Sequence, residues 1–308
     1  MRIITLTLNP AFDMHCFAKE LTLYRENFLE CSSLEAGGKG INISRALLSN
    51  GIESEAVVIV GKENAEQYLS ALKREGLTVK PVFTNGRIRE NITIHEGNAP
   101  ETRISFNGFY ADRTLLDDIK NQIGKVDENT IITFTGSIPD GIRVDYVLNL
   151  LDLFRVNGAK IVIDSRSVTF DELIKFSPWL IKPNSQEIEE YIGRPIKDIY
   201  DAVMAAEELH KAGIENAMIT LGGDGAVLVS DEGSFVAIVP KIDAVSTIGA
   251  GDSTIAGFID GVLNKLDKQS VLKRAVAFGS AACLTAGSRP PLLANIEKLL
   301  PKITVSEI

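Results

Sequence analysis

The sequence predicts a doubly wound α/β fold: a mainly parallel sheet flanked by helices, with a small β-sheet lid standing off it. Two observations predict this. Short apolar runs alternate with amphipathic stretches along most of the 308 residues, the rhythm of repeated βα units with right-handed crossovers. Two regions break that rhythm with period-2 alternation, the mark of two-faced strands. No repeat, low-complexity tract or linker divides the chain. It therefore reads as a single domain, 1–308, with a discontinuous lid from about 11–35 and 87–109.

The chain opens on an apolar run at 3–8 that reads as a buried strand. Phe12, Met14, Cys16 and Ala18 then alternate with Asp13, His15 and Phe17, and a second strand-like run follows at 28–33. A glycine-rich turn leads into a helix at 41–48, and a strand at 56–60 and a helix at 65–74 continue the rhythm. The second break comes where Ile92 and Ile94 alternate with Asn91 and Thr93, and Ile104 and Phe106 with Arg103, Ser105 and Asn107. Together these segments would gather Asp13, Arg89, Asn91, Arg103 and Asn107 on one polar face, suited to closing over a polar ligand. The alternative is that they merely edge the main sheet. An apolar reverse face needs cover, most simply from a second copy, so a homodimer through the lids is expected. Beyond the lid, strands at 130–134, 160–163, 179–181, 217–221, 226–229 and 235–239 are interleaved with helices at 115–123, 144–154 and 200–212. Ile255, Phe258, Ile259, Val262 and Leu263 then recur at helical spacing.

Composition narrows the partners. A net charge of −9 argues against nucleic acid or an anionic membrane as the main partner, and any phosphate site must concentrate its cations locally. Cys16, Cys31 and Cys283 are odd in number and widely spaced, and read as reduced thiols in a cytoplasmic protein. The N-terminus runs straight into a strand, so no signal peptide is expected, and no apolar run approaches the ~18 residues that span a bilayer. His15, His95 and His210 have no ligand spacing, and no GxSxG elbow suggests acyl transfer.

The most informative segment is Val245-Ser246-Thr247-Ile248-Gly249-Ala250-Gly251-Asp252, at the start of the last periodic helix. Unshielded N–H groups at a helix start make a site for an anion. An aspartate there repels a resting phosphate unless it serves as a base for an attacking hydroxyl while the N–H groups hold the phosphoryl group. The competing reading is that Asp252 only N-caps the helix. A second cluster, Ala36-Gly37-Gly38-Lys39-Gly40-Ile41-Asn42, exposes backbone and carries one cation and one amide at a helix start. It is neither a Walker A loop nor a dinucleotide fingerprint, but it suits a polyhydroxylated, phosphorylated ligand.

Other polar residues fall at the carboxyl ends of predicted strands, where doubly wound sheets bind ligands. They include Gly136-Ser137, Asp164-Ser165-Arg166 and Lys182-Pro183-Asn184. Asn184 and Glu187 suit a hydrated Mg²⁺, but on their own they read first as a capping box with Asn184 as N-cap. Thr220-Leu221-Gly222-Gly223-Asp224-Gly225 could line nucleotide phosphates or simply turn a hairpin.

Gly37-Gly38-Lys39-Gly40-x-Asn42 and Gly249-Ala250-Gly251-Asp252 resemble the two signatures of the PfkB, or ribokinase-like, sugar kinases, and Asn184-x-x-Glu187 resembles that family's magnesium motif. The resemblance covers essentially the whole chain. The opening Thr5-Leu6-Thr7-Leu8-Asn9-Pro10-Ala11-x-Asp13 is similar to the phosphosugar branch of 1-phosphofructokinases and tagatose-6-phosphate kinases. Arg87-x-Arg89-x-Asn91 and Phe106-Asn107-Gly108-Phe109 look closer to the former.

The resemblance implies Asp252 as catalytic base, with the N–H groups of Gly249, Ala250, Gly251 and Asp252 as the anion hole. It places Asp13, Gly37, Gly38, Lys39, Asn42 and Asn91 with the sugar, and Arg89, with Lys39 as a second candidate, on its existing phosphate. Asn184 and Glu187 would position Mg²⁺ through water, and Lys182, Asn184, Thr220, Gly222, Gly225 and Thr247 would serve ATP. Arg103 and Ser137 join the substrate group on lid polarity and strand-end position. The run after Cys283, Leu284-Thr285-Ala286-Gly287-Ser288-Arg289-Pro290-Pro291, departs from the branch, and no residue is assigned there. The implied activity is ATP-dependent phosphorylation of fructose 1-phosphate at its 6-hydroxyl. The alternatives are another phosphosugar or sugar acceptor, tagatose 6-phosphate first, and more distantly a non-catalytic sugar-phosphate sensor.

Overall fold

The computed structural model describes residues 1–97 and 101–308. In chain order its strands are β1 (Arg2–Thr7), β2 (Ala11–Ala18), β3 (Glu30–Gly37), β4 (Glu55–Gly61), β5 (Thr78–Thr84), β6 (Arg89–Glu96), β7 (Thr102–Ile104), β8 (Thr130–Thr135), β9 (Lys160–Asp164), β10 (Leu180–Ile181), β11 (Asn216–Thr220), β12 (Ala226–Ser230), β13 (Gly233–Ile238) and β14 (Thr304–Glu307). The helices are α1 (Lys39–Leu48), α2 (Ala65–Arg74), α3 (Leu115–Ile123), α4 (Val144–Arg155), α5 (Phe170–Phe176), α6 (Ser185–Ile192), α7 (Ile199–Lys211), α8 (Ala250–Leu263), α9 (Lys268–Ala282) and α10 (Leu293–Leu299). None is long and apolar enough to cross a membrane.

Ten strands form one sheet in the order β14-β13-β12-β11-β10-β9-β8-β1-β4-β5. From β11 to β5 every pair is parallel, and the β12, β13 and β14 end is antiparallel. The chain steps outward from β1 through β4 and β5, then returns to the other side of β1 through β8. That reversal is the switch point where sheets of this kind leave a crevice at their carboxyl ends.

Helices cover both faces, which is why β4 reads as a nearly continuous apolar run and every residue of β8 is buried. One core holds Ile4 and Leu6 of β1 against side chains of α2, α3, α4 and α7. The other holds Ile3 against α1, α8, α9 and α10. On this second face Thr5 and Ser44 share a buried hydrogen bond of 2.8 Å, which ties α1 to the central strand. Helix α8 is buried all round from Asp252 to Gly261, as its apolar composition requires. Gly257 lets it lie against α9: a Cβ there would sit 2.8 Å from Arg274 O and from Phe278 Cβ.

The remaining strands form a separate sheet, β3-β2-β6-β7, so they do not edge the main one. Its outer pairs are antiparallel, but β2 and β6 pair in parallel because both leave the main sheet's rim in the same direction. The register puts Asp13 beside Asn91 and Thr93 beside Arg103, so one face carries Asp13, Arg89, Asn91 and Arg103. The other carries Met14 against Leu34 and Ile92 against Ile104. Leu34, Ile104 and the neighbouring Phe106 are all at least two-fifths exposed. Two boundaries differ from expectation: β3 begins at Glu30 and reaches Gly37, and β7 ends at Ile104. Of the expected span 87–109, residues 98–100 lie outside the described residues.

The cysteines require a correction. Cys16 and Cys31 are joined by a disulfide, because the β2–β3 pairing sets them opposite one another. Their spacing in the chain carries no trace of that register. Cys283 is a free thiol.

Candidate active site

The carboxyl ends of β1, β8, β9, β10 and β11 bring Asn9, Ser137, Asp164, Lys182 and Thr220 to one rim, where the glycine turns before α1 and α8 meet them. Gly249, in the left-handed region at φ 74°, is the N-cap of α8. Asp252 is the third residue of the helix, so the reading of it as an N-cap is excluded. The Ala250 N–H turns back to Thr247 O at 3.4 Å, while those of Gly251 and Asp252 meet no backbone acceptor among the described residues. A side chain at Gly251 would sit 3.1 Å from Lys182 Nζ, so glycine keeps that lysine close to the turn.

Asp252 is buried, and its Oδ2 accepts a 2.9 Å hydrogen bond from Asn42 Nδ2. Burial pushes its carboxyl up to about 6, against the opposing pull of Lys39 and of the Asn42 bond. A buried acid raised toward neutrality beside free N–H groups has the make-up of a general base. Lys39 Nζ donates to Asp164 Oδ2 at 3.1 Å, and Lys182 Nζ lies 3.8 Å from the same oxygen. Burial opposes charge on Asp164, yet Lys182 and Lys39 outweigh it and hold the carboxyl below its usual value. The same attraction, from Asp164 and Asp252, raises the half-exposed Lys39 ammonium above its usual value and keeps it charged. Two cations thus flank the turn with one counter-ion between them.

On the side of the small sheet, Asn91 Nδ2 donates to Asp13 Oδ1 at 3.1 Å. A Cβ on Gly37 would overlap the Asp13 carboxylate, which explains that glycine, and Tyr68 anchors the turn by donating to Gly37 O at 2.7 Å. Arg89 donates to Phe106 O at 2.9 Å, and at 3.4 Å to both Asn9 O and Ser137 Oγ. Asn9 also donates to Ser137 and to the Asn107 carbonyl. Arg103 is not brought in: it lies at the sheet edge, exposed, and donates to Glu101 at 3.0 Å. His15 and His95 meet, with Nδ1 and Nε2 3.1 Å apart, although the sequence showed no spacing between them.

A cleft of about 730 Å³ runs from this rim. Thr220, Gly222 and Gly225 form one wall, and Thr247, Ala250 and Gly251 lie at its inner end. The stretch around Gly222 does turn a hairpin between β11 and β12, and it lines the cleft as well. Sequence reasoning missed the far wall, Val276 and Gly279 of α9 with Cys283 at its C-cap, whose spacing of three and four was the available signal.

Asn184 and Glu187 form a full capping box, with Asn184 Oδ1 accepting from Glu187 N and Glu187 Oε2 accepting from Asn184 N. Glu187 Oε1 accepts from Arg166 at 2.9 Å. Among the described residues no group of three His, Cys, Asp or Glu is placed to hold a metal ion. The donor set fits an ion held chiefly by phosphates and water, with Glu187 using its remaining lone pairs as an outer acceptor.

The free N–H groups of Gly251 and Asp252, the buried Asp252 carboxyl, two lysines and the adjoining cleft thus meet at one rim. Residues 22–295 match the pfkB family carbohydrate kinases, and the chain belongs to that family. It is 30% identical over 307 residues to the 1-phosphofructokinase of Escherichia coli, with 97% of each chain covered. It is 29% identical to that of Bacillus subtilis over 99% of this chain and 100% of the other. The solved structure of phosphofructokinase-2 from Escherichia coli, in complex with substrates and products, matches with a TM-score of 0.90 at 26% identity, over 98% of this chain and 99% of that one.

Proposed function

We propose that the protein transfers the γ-phosphoryl group of ATP to the 6-hydroxyl of fructose 1-phosphate, giving fructose 1,6-bisphosphate and ADP. The observation that carries the chemistry is Asp252, a buried carboxyl raised to about 6 beside the N–H groups of the Gly249-Ala250-Gly251 turn. The full-length relation to 1-phosphofructokinases supports the acceptor.

Asp252 takes the proton of the attacking 6-hydroxyl, while the N–H groups of Gly251 and Asp252 hold the oxygens of the phosphoryl group in transit. Lys39 and Lys182 leave Asp164 partly or wholly to follow the developing charge. Asp13, Asn91 and the Gly37-Gly38 turn hold the sugar hydroxyls, with Asn42 shared between sugar and base. Arg89, backed by Ser137, pairs with the phosphate already on the sugar. Thr220, Gly222, Gly225 and Thr247 line ATP, with Val276 and Cys283 toward its base. Glu187 and Asn184 would hold, through water, an Mg²⁺ carried by the nucleotide, which would supply charge neutralisation on the phosphates. The small sheet acts as a lid whose polar face excludes water, and its apolar face pairs with a second copy of the chain.

Phosphorus NMR of a mixture of Mg-ATP, fructose 1-phosphate and enzyme tests the reading. The expected spectrum gains ADP and a second sugar phosphoester in equal amounts. ADP with inorganic phosphate alone would refute the transfer.

A further inference from the structure

Asn42 and Arg45 stand three residues apart on α1 and face the same way. Asn42 Nδ2 donates to Asp252, and Arg45 Nη1 donates to Asn42 Oδ1 at 3.3 Å. Arg45 is held in turn by a bidentate pair to Glu75, at 2.5 and 2.9 Å, and by Ala36 O. An arginine is only a donor and an ionised carboxylate only an acceptor, so the two neighbours allow one orientation of the amide between them. Without Arg45 the amide is free to turn and present its oxygen to Asp252.

We propose that Arg45 is a positioning residue for the base: clamped by Glu75, it locks the Asn42 amide so that its N–H faces Asp252. The inference rests on the reading of Asp252 as base. The charges that bear on Asp252 are Lys39 of α1, Asp164 of β9 and Lys182 after β10. Those around Arg45 are Glu75, Asp13, and Glu35 and Arg289, which share its cavity of about 430 Å³. A hydrogen bond donated to the ionised form favours that form, so losing it makes the carboxyl harder to ionise.

The test is the pH profile of kcat at saturating ATP and fructose 1-phosphate, where bound sugar occupies Asp13. In Arg45→Met the acid limb moves to higher pH by about one unit, the worth of one charge-assisted bond. Arg45→Lys, whose ammonium can still donate to Asn42, returns the limb toward its original place. A uniform fall in kcat with the limb unmoved would overturn the inference, since a merely structural arginine acts alike at every pH. Should Arg45→Met not fold, Glu75→Gln carries the test: the limb moves the same way by a smaller amount, and an unmoved limb refutes the relay. Asp252→Asn, run in parallel, separates the two readings. If it keeps activity within tenfold of the parent, the base assignment itself falls, whereas an inactive Asp252→Asn with an unmoved Arg45→Met limb removes the relay alone.

Discussion

Replacing Asp252 with asparagine should cost activity and add stability at once. The amide is nearly the size of the carboxylate, and its oxygen can still accept from Asn42, so the first turn of α8 is kept. What disappears is the proton acceptor, worth roughly a hundredfold to ten-thousandfold in kcat. The stability effect follows from linkage. The carboxyl is raised from 3.8 to about 6 in the folded state. Its penalty is therefore absent below the unfolded value and grows until the pH passes the folded one. At about 1.4 kcal/mol per pH unit, the ionised base costs the folded state on the order of 3 kcal/mol near pH 7.5, and roughly half of that at pH 5. Asp252→Asn escapes that cost. Urea unfolding of parent and variant at both pH values, beside steady-state kcat, reads the two effects together. A variant no more stable at pH 7.5 than at pH 5 relative to the parent, or one with near-normal turnover, would refute the reasoning.

Three further outcomes are expected. The kcat/KM of the parent falls about tenfold per pH unit below about 6, because the base of the free enzyme works only when deprotonated; a flat profile down to pH 5 contradicts this. Arg89→Ala raises KM for the phosphosugar by roughly tenfold to a thousandfold with little change in kcat, as befits one lost charge-assisted pair, and steady-state kinetics would show it. Removing Mg²⁺ with EDTA abolishes turnover but shifts the thermal midpoint of the ATP-free protein by less than about 1 °C, since no described cluster of side chains binds the ion in its absence.

Much of the architecture was legible because burial on both faces forces continuous apolar strands such as β4, while a two-faced sheet forces alternation such as that of β2 and β6. The same alternation placed Asp13, Arg89 and Asn91 together, since register carries residues of like parity to one face. The glycine turn beside Asp252 was visible because its chemistry is local. Contacts across the chain were not. Asn42 reaches Asp252 over 210 residues, and Asp164 joins Lys39 to Lys182 only once β9 lies between β8 and β10. Cys16 meets Cys31 through a strand register that their spacing does not encode. Arg103 shares the polar face by parity, but it lies on the short edge strand and its charge goes to Glu101. The wall of the 730 Å³ cleft on α9 is built from small and apolar residues, Val276 and Gly279, that look like ordinary core.

The central claim is tested most directly by initial rates of ADP release with Mg-ATP and four acceptors: fructose 1-phosphate, tagatose 6-phosphate, fructose 6-phosphate and ribose. The account predicts a kcat/KM for fructose 1-phosphate at least about tenfold above the others, a margin of some 1.4 kcal/mol in transition-state binding. A preference for a 6-phosphate would contradict the assigned acceptor, and no turnover with any of the four would contradict the phosphotransfer itself.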